Sequence, residues 1–286
     1  RFGGYFSNGN FAVGGDLDVL GLTGTQEGWG LSVTHPFIRS RFHRLSGELG
    51  FDLRDSILFN RATGPKTLES LDRIRLLRFG LSYEGTDGTG RSYASVYVFR
   101  GLGSAFGGST DSTRPPRSRP GANDDFTYVD MNVLRLQNIT SFLRAIVRAS
   151  GQVASKPLVA SEQFGIGGPD TVRGYRFKEL VGDSSFNSSA ELRVLPIPGE
   201  YSEAVQLSLG IDYGLVQQRH PVDVPKFQSL LGYGPGVRLN LPFKVAERPY
   251  YFSVRFDVGF PISPSKIENR TSDIRPVYYV QTSLRF

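Results

Sequence analysis

Cysteine is absent from all 286 residues. That excludes disulfide staples, thiolate metal sites and a cysteine nucleophile. Histidine is nearly absent too: His35, His43 and His220 stand apart, none at metal-ligand spacing from another. No stretch approaches the roughly 18 consecutive apolar residues of a transmembrane helix. Neither a nucleophile elbow nor a P-loop lysine is found, so no cofactor and no enzyme is expected. A scattered Ser-His-Asp set is not excluded by counting, which leaves a hydrolase as an alternative. Thirty-three basic against 27 acidic residues give a net charge of +6, too small an excess to imply a nucleic-acid partner. The chain starts at Arg1 without a charged leader or apolar h-region, so no signal peptide is expected within these residues.

What is present is alternation. In YYFSVRFDVGF, residues 250–260, Tyr250, Phe252, Val254, Phe256, Val258 and Phe260 lie on one face of an extended chain. Tyr251, Ser253, Arg255, Asp257 and Gly259 lie on the other. Strict alternation over about 9–11 residues is what a tilted membrane-spanning strand needs. The same split recurs at 44–54, 77–84, 143–153 and 205–214. Twelve strands are expected, near 2–13, 27–37, 42–56, 72–84, 91–101, 126–137, 142–154, 186–195, 203–216, 231–241, 250–260 and 277–286.

Their connections alternate in length. Short ones fall near Pro36–Arg41, Gly85–Gly90, Asn138–Ser141, Pro196–Ser202 and Pro242–Arg248. Long ones fall near 14–26, 57–71, 102–125, 155–185, 217–230 and 261–276. Short turns at one rim and long loops at the other is the arrangement of outer-membrane barrels. The fold class expected is therefore all-β, a transmembrane antiparallel β-barrel. A soluble sandwich would explain alternation, but not charges on one face and bulky apolar side chains on the other over so many long strands. The Gly/Ser/Pro-rich loop 102–125, basic at Arg114, Arg117 and Arg119, is expected to be a mobile external loop.

The polar faces collect Arg44, Glu48, Asp52, Arg78, Glu84, Arg144, Arg148, Glu191, Arg193, Asp212, Arg238, Arg255, Asp257 and Arg285. A Lys or Arg turned toward lipid costs about 2–4 kcal/mol at the midplane, so these residues are expected to line a wet lumen. A wall carrying both signs suits water, ions or a polar extended chain. Trp29, Tyr83, Tyr233, Tyr250 and Tyr278 fall near strand ends, where interfacial girdles form. The last segment, YYVQTSLRF, alternates up to the terminal Phe286, which resembles the signal read by the outer-membrane barrel assembly machinery.

One long loop carries more than a turn: SEQFGIGGPDTVRGYRFKELVGD, residues 161–183. Glycines at 165, 167, 168 and 174 permit tight bends, and Pro169-Asp170 favours a turn. Its centre is Val172-Arg173-Gly174-Tyr175. FGIGGPDTVRGYRF resembles the motif loop of the two-partner secretion transporters, the ShlB/FhaC/HecB haemolysin activators, within the superfamily of outer-membrane insertases. HPFIRSR at 35–41 resembles a recurrent turn of the same family. The resemblance implies that the loop tip folds into the barrel and that Arg173 pairs with an inner-wall aspartate two strands along. Asp212, in LGIDYG, stands there.

The resemblance further implies a barrel of about sixteen strands with the motif loop after the eleventh, a plug helix and POTRA domains. Five expected strands follow the loop here and seven precede it, so these residues are expected to be the C-terminal barrel portion, 1–286, without the first strands, plug or POTRA domains. The implied function is a bacterial outer-membrane translocator pore. Its partners would be a secreted exoprotein client in extended form, outer-membrane lipid, and the assembly machinery during biogenesis. An insertase for other barrels and a passive diffusion porin stay open as alternatives.

Overall fold

A computed structural model describes residues 1–12, 21–60, 67–109, 117–119, 121–222, 224–245, 248–262 and 275–285. Seven strands precede the motif loop: β1 (Phe2–Ala12), β2 (Thr23–Arg39), β3 (His43–Asn60), β4 (Thr67–Asp87), β5 (Gly90–Gly101), β6 (Thr127–Asn138) and β7 (Leu143–Ala154). Two short ones, β8 (Phe164–Ile166) and β9 (Leu180–Gly182), lie within it. Five follow: β10 (Ser184–Val194), β11 (Val205–Gln217), β12 (Phe227–Val245), β13 (Arg248–Pro261) and β14 (Val277–Arg285). β8 and β9 form a small hairpin, and the other twelve make one continuous antiparallel sheet in chain order, β7 pairing with β10 across the loop.

Burial follows the alternation, inverted relative to a soluble protein. Along β11, Gln206, Ser208, Gly210, Asp212 and Gly214 are buried, while Leu207, Leu209, Ile211 and Tyr213 are exposed. Along β4, Gly80 is buried and its neighbours Phe79 and Leu81 are each 53% exposed. Contiguous apolar rows on the outside and polar groups inside require lipid around the wall and water within it. We expect Leu209→Arg, in the middle of its outward row, to destabilise the barrel in a bilayer by roughly 2–4 kcal/mol. Equilibrium unfolding from lipid vesicles checks this, and an equal loss from Asn132→Arg at an inward, exposed position of β6 would contradict it.

Several strands outrun their apolar spans. β3 continues to Asn60 and β4 begins at Thr67, so most of the loop expected at 57–71 is ladder. β11 and β12 likewise absorb both ends of the loop expected at 217–230. Beyond the charged outward pair Asp55 and Arg73, backbone pairing continues to Asn60 and Thr67 without a strict alternation of polarity to mark it.

The inner wall is not uniformly polar. At the long-loop end, Ile74, Leu76, Phe99 and Tyr128 turn inward and pack with Ala122, Phe126, Leu158 and Val159 of two connections. The described part of 102–125 is therefore folded against the wall, which corrects its reading as a mobile external loop. Arg117 forms an ion pair with buried Asp124, whose carboxyl burial pushes above its ordinary value. Arg119 donates to Asp183 at 2.5 Å and to Gln218 at 2.9 Å. Asp183 also accepts the Leu158 and Arg219 backbone N–H groups at 2.9 and 2.7 Å, so one carboxylate ties three connections together. Arg114 lies outside the described residues. Removing Arg119 from this carboxylate is expected to cost roughly 2–3 kcal/mol locally. Limited proteolysis of Arg119→Ala should show faster cleavage within 102–126 with the barrel core intact.

Candidate functional site

The motif loop enters the barrel because its sequence lets it turn twice. Gly167 and Gly168 have φ of +112° and +103°. Thr171 closes the turn, its hydroxyl accepting the Gly167 N–H at 2.8 Å and donating to the Gly167 carbonyl at 2.9 Å. The Gly168 N–H donates to the Val172 carbonyl at 3.0 Å. The apolar side chains of the turn then have a place to go. Ile166, Val172, Tyr175 and Leu180 pack with Val216 of β11 and Leu230 of β12 in a second buried cluster.

The tip is held by polar contacts from five strands. Arg173 is 1% exposed, and its Nε and Nη2 donate to the two Asp212 carboxylate oxygens at 2.6 and 3.1 Å. Its backbone N–H donates to the same carboxylate at 3.1 Å. Nη1 reaches Glu191 of β10 and the Gly234 carbonyl of β12, both at 3.4 Å. The β12–β13 register skips Gly234 and Pro235. Proline has no N–H to give to a ladder, and it is at this interruption that the Gly234 carbonyl accepts from Arg173. Gly174 donates its N–H to the Tyr279 hydroxyl of β14 at 3.0 Å, and that hydroxyl donates to the Tyr175 carbonyl at 2.6 Å. The Tyr175 hydroxyl donates to the Leu231 carbonyl at 2.9 Å. From β13, Arg255 donates to the Asp170 carboxylate and the Pro169 carbonyl, both at 2.9 Å, and forms an ion pair with Asp257.

Small residues on the wall make the seat. A Cβ on Gly210 would stand 1.9 Å from Nη2 of Arg173, and one on Gly232 would stand 1.9 Å from the Arg173 carbonyl oxygen. A Cβ on Gly259 would meet the Gly174 nitrogen at 2.2 Å. These glycines fill a lane across β11, β12 and β13, and the loop tip occupies the space that side chains would take.

Around the seat, charge is concentrated. Glu191, fully buried, faces Arg193 at 2.5 Å, Arg238 at 2.9 Å, Arg173 at 3.4 Å and Arg148 at 3.9 Å. Five guanidinium groups (Arg148, Arg173, Arg193, Arg238, Arg255) thus share three buried carboxylates, Glu191, Asp212 and Asp257. Each carboxylate is desolvated and depends on these partners.

The other inward charges lie apart from the loop tip. Asp52 is buried beside Arg54 at 3.2 Å and Arg78 at 3.8 Å, and Arg78 also pairs with Glu48 at 2.9 Å. Arg54 further clamps buried Glu162 with Nη1 at 3.0 and 2.9 Å, and Tyr128 donates to the same carboxylate at 2.8 Å. Arg44 and Glu84, 3.7 Å apart and more than half exposed, stand at the short-turn rim. Arg144 pairs there with Glu203 at 2.7 Å. Phe286 lies outside the described residues. Sequence reading placed Arg54 on a polar face without a partner, and missed Glu162, Tyr128, Tyr279 and the glycine lane. The signal for the lane was present: in LSLGIDYG and LGYGPGV, glycine repeatedly occupies the inward position of otherwise good strands.

A loop tip seated on the inner wall through an Arg–Asp pair is the arrangement that the motif implied. A model of the haemolysin secretion/activation protein family ShlB/FhaC/HecB matches residues 3–239. The chain belongs to this family. CdiB from Acinetobacter baumannii superposes with a TM-score of 0.70 at 18% identity, over 99% of this chain and 47% of its own. CdiB from Escherichia coli gives 0.71 at 18%, over 98% of this chain and 49% of its own. BamA from Haemophilus ducreyi, lacking POTRA domains 1–3, gives 0.60 at 13%, over 99% of this chain and 62% of its own. At these identities the superpositions establish the fold, that of an outer-membrane β-barrel. Comparison with curated protein sequences finds no match. The chain spans about half the length of the two CdiB structures. Family membership and the inverted burial place this ShlB/FhaC/HecB family chain in the bacterial outer membrane.

Proposed function

We propose that this chain is the pore-forming part of a two-partner secretion transporter, passing an extended exoprotein from periplasm to cell surface without covalent chemistry. The observation that carries the reading is the motif loop seated on the inner wall by Arg173 and Asp212, in a chain of the haemolysin secretion/activation family. Val172 and Tyr175 anchor the tip by packing, Gly174 by close approach, and Arg173 by charge. Mixed inward charges, already paired with one another, offer an extended polypeptide a wet path without a strong preference for either sign.

In this reading the whole protein adds strands before β1 to reach a barrel of about sixteen. It also adds a plug helix and POTRA domains that receive the client. The barrel assembly machinery inserts it, and Phe286 contributes to that recognition. Folding of the client outside supplies the drive. The test is export of the exoprotein encoded beside the full-length gene, in a deletion strain with and without that gene restored. Export only in the restored strain is expected; export in both overturns the reading.

The likeness to BamA supports a second reading, assembly of other barrels. It would show as loss of unrelated outer-membrane proteins in the deletion strain, which the secretion reading does not expect.

A further inference from the structure

The outward face changes character at one level. On β1–β4, the register aligns Gly4, Leu31, Phe51 and Leu77 in one cross-strand row and Phe6, Trp29, Leu53 and Arg75 in the next. The row beyond is Asn8, Glu27, Asp55 and Arg73. Apolar residues give way to an aromatic pair, Phe6 on Trp29 with ring centroids 4.4 Å apart, and then to charge. That sequence of apolar, aromatic and charged rows is how a barrel meets the outer edge of the hydrocarbon layer.

β5 ends at this level, with Gly101 opposite Leu76. The chain then turns outward. Leu102 donates its N–H to the Arg75 carbonyl at 2.9 Å, and Ser109 donates its N–H to the Arg73 carbonyl at 3.1 Å. The Arg73 N–H donates in turn to the Ser109 hydroxyl at 3.1 Å. Both feet of a short excursion, 103–108, are thereby pinned to β4. Within it Gly103, Phe106 and Gly107 have φ of +59°, +52° and +78°. A left-handed backbone is ordinary for the glycines and rare for a phenylalanine, so something must hold Phe106 there. Arg75 does, donating from Nε to the Phe106 carbonyl at 3.0 Å while its Nη1 pairs with Asp55 at 2.6 Å.

The result runs against burial in water. Phe106 is 72% exposed, yet its ring is turned down the outside wall onto Phe51, edge-on at 5.3 Å between centroids. Phe51 belongs to the row on the hydrocarbon side of the aromatic boundary. A strained, pinned turn that aims a large apolar ring past that boundary is explained by lipid as its occupant, with half-exposed Arg73 at the level of lipid phosphates.

We propose that residues 103–108 form a hook that inserts Phe106 among the acyl chains of the outer leaflet. These 286 residues contain no cysteine to compete for a label, and any cysteine elsewhere in the full-length protein is first replaced by serine. Phe106→Cys in the full-length protein, labelled with bimane and reconstituted in phosphatidylcholine vesicles, is titrated with nitroxide-labelled lipid and, separately, with aqueous iodide. Asn132→Cys, inward and exposed on β6, serves as the wet reference. Severalfold stronger quenching by lipid nitroxide than at Asn132, with weak quenching by iodide, is expected at position 106. Iodide quenching equal to that at Asn132 without lipid quenching overturns the hook. If Phe106→Cys does not yield a folded barrel, Ala105→Cys, exposed on the same turn, reads the same depth by the same criterion. The measurement does not involve export, so its outcome is independent of the secretion reading.

Discussion

Arg173→Ala is expected to lower exoprotein export at least tenfold at equal abundance of the barrel in the membrane. The substitution leaves Asp212 and Glu191 in the wall while removing the guanidinium that both face. Breaking a buried ion pair by deleting one partner costs about 3–5 kcal/mol, because the survivor stays desolvated. About 1.4 kcal/mol is a factor of ten in an equilibrium constant, so a loss of that size empties the seated state of the loop. Asp212→Asn should act in the same direction and less severely, since the amide keeps its shape and still accepts the Arg173 backbone N–H. Arg173→Lys retains charge but not the forked contact to Asp212, and its export should fall between wild type and alanine. Cell-fractionation immunoblots of exoprotein in medium and cells, with barrel levels matched by heat-modifiability, provide the measurement. Wild-type export by Arg173→Ala would show that the seated loop is dispensable.

Gly232→Val is expected to unseat the loop without touching a charge. A Cβ at this position would lie 1.9 Å from the Arg173 carbonyl oxygen, a backbone atom that cannot swing aside as a side chain can. Valine suits a strand, so β12 itself should persist. The loop should become cleavable by added protease within 161–183, and export should fall as far as in Arg173→Ala. Gly9→Val is the matched control, because a Cβ there meets nothing within 4 Å. If Gly232→Val leaves the loop protected and export intact, the glycine lane is not what admits the tip.

These two predictions rest on features that differed in how readable they were. The twelve wall strands were legible because lipid outside and water inside impose a period of two on every one of them. Their upper ends were not: β3 and β4 keep pairing from Asp55 opposite Arg73 to Asn60 opposite Thr67, where polarity no longer alternates. Arg173 and Asp212 were legible through the family motif, and the strand count placed them two strands apart. The four-arginine surround of Glu191 was not, because it depends on cross-strand register. Arg148, Arg193 and Arg238 come from β7, β10 and β12, and only the ladder brings them to one carboxylate. Phe106 was illegible for the opposite reason. Its neighbours Gly103, Gly107 and Gly108 read as an unstructured loop, while the pinning comes from Arg73 and Arg75, some thirty residues earlier.

The inner wall and the outer wall do separate work, and adjacent residues report on each. Asn132 faces the lumen and is exposed to it, and Val133 faces lipid, one position apart on β6. The most direct test of translocation through this barrel uses that pair. Asn132→Cys and Val133→Cys are introduced singly into the full-length protein and expressed with an exoprotein stalled in transit by a folded C-terminal fusion and carrying single cysteines along its length. Oxidation should trap a disulfide adduct between client and barrel at position 132 and none at position 133. Absence of any adduct at 132, or equal adducts at both positions, would contradict passage of the client through the lumen.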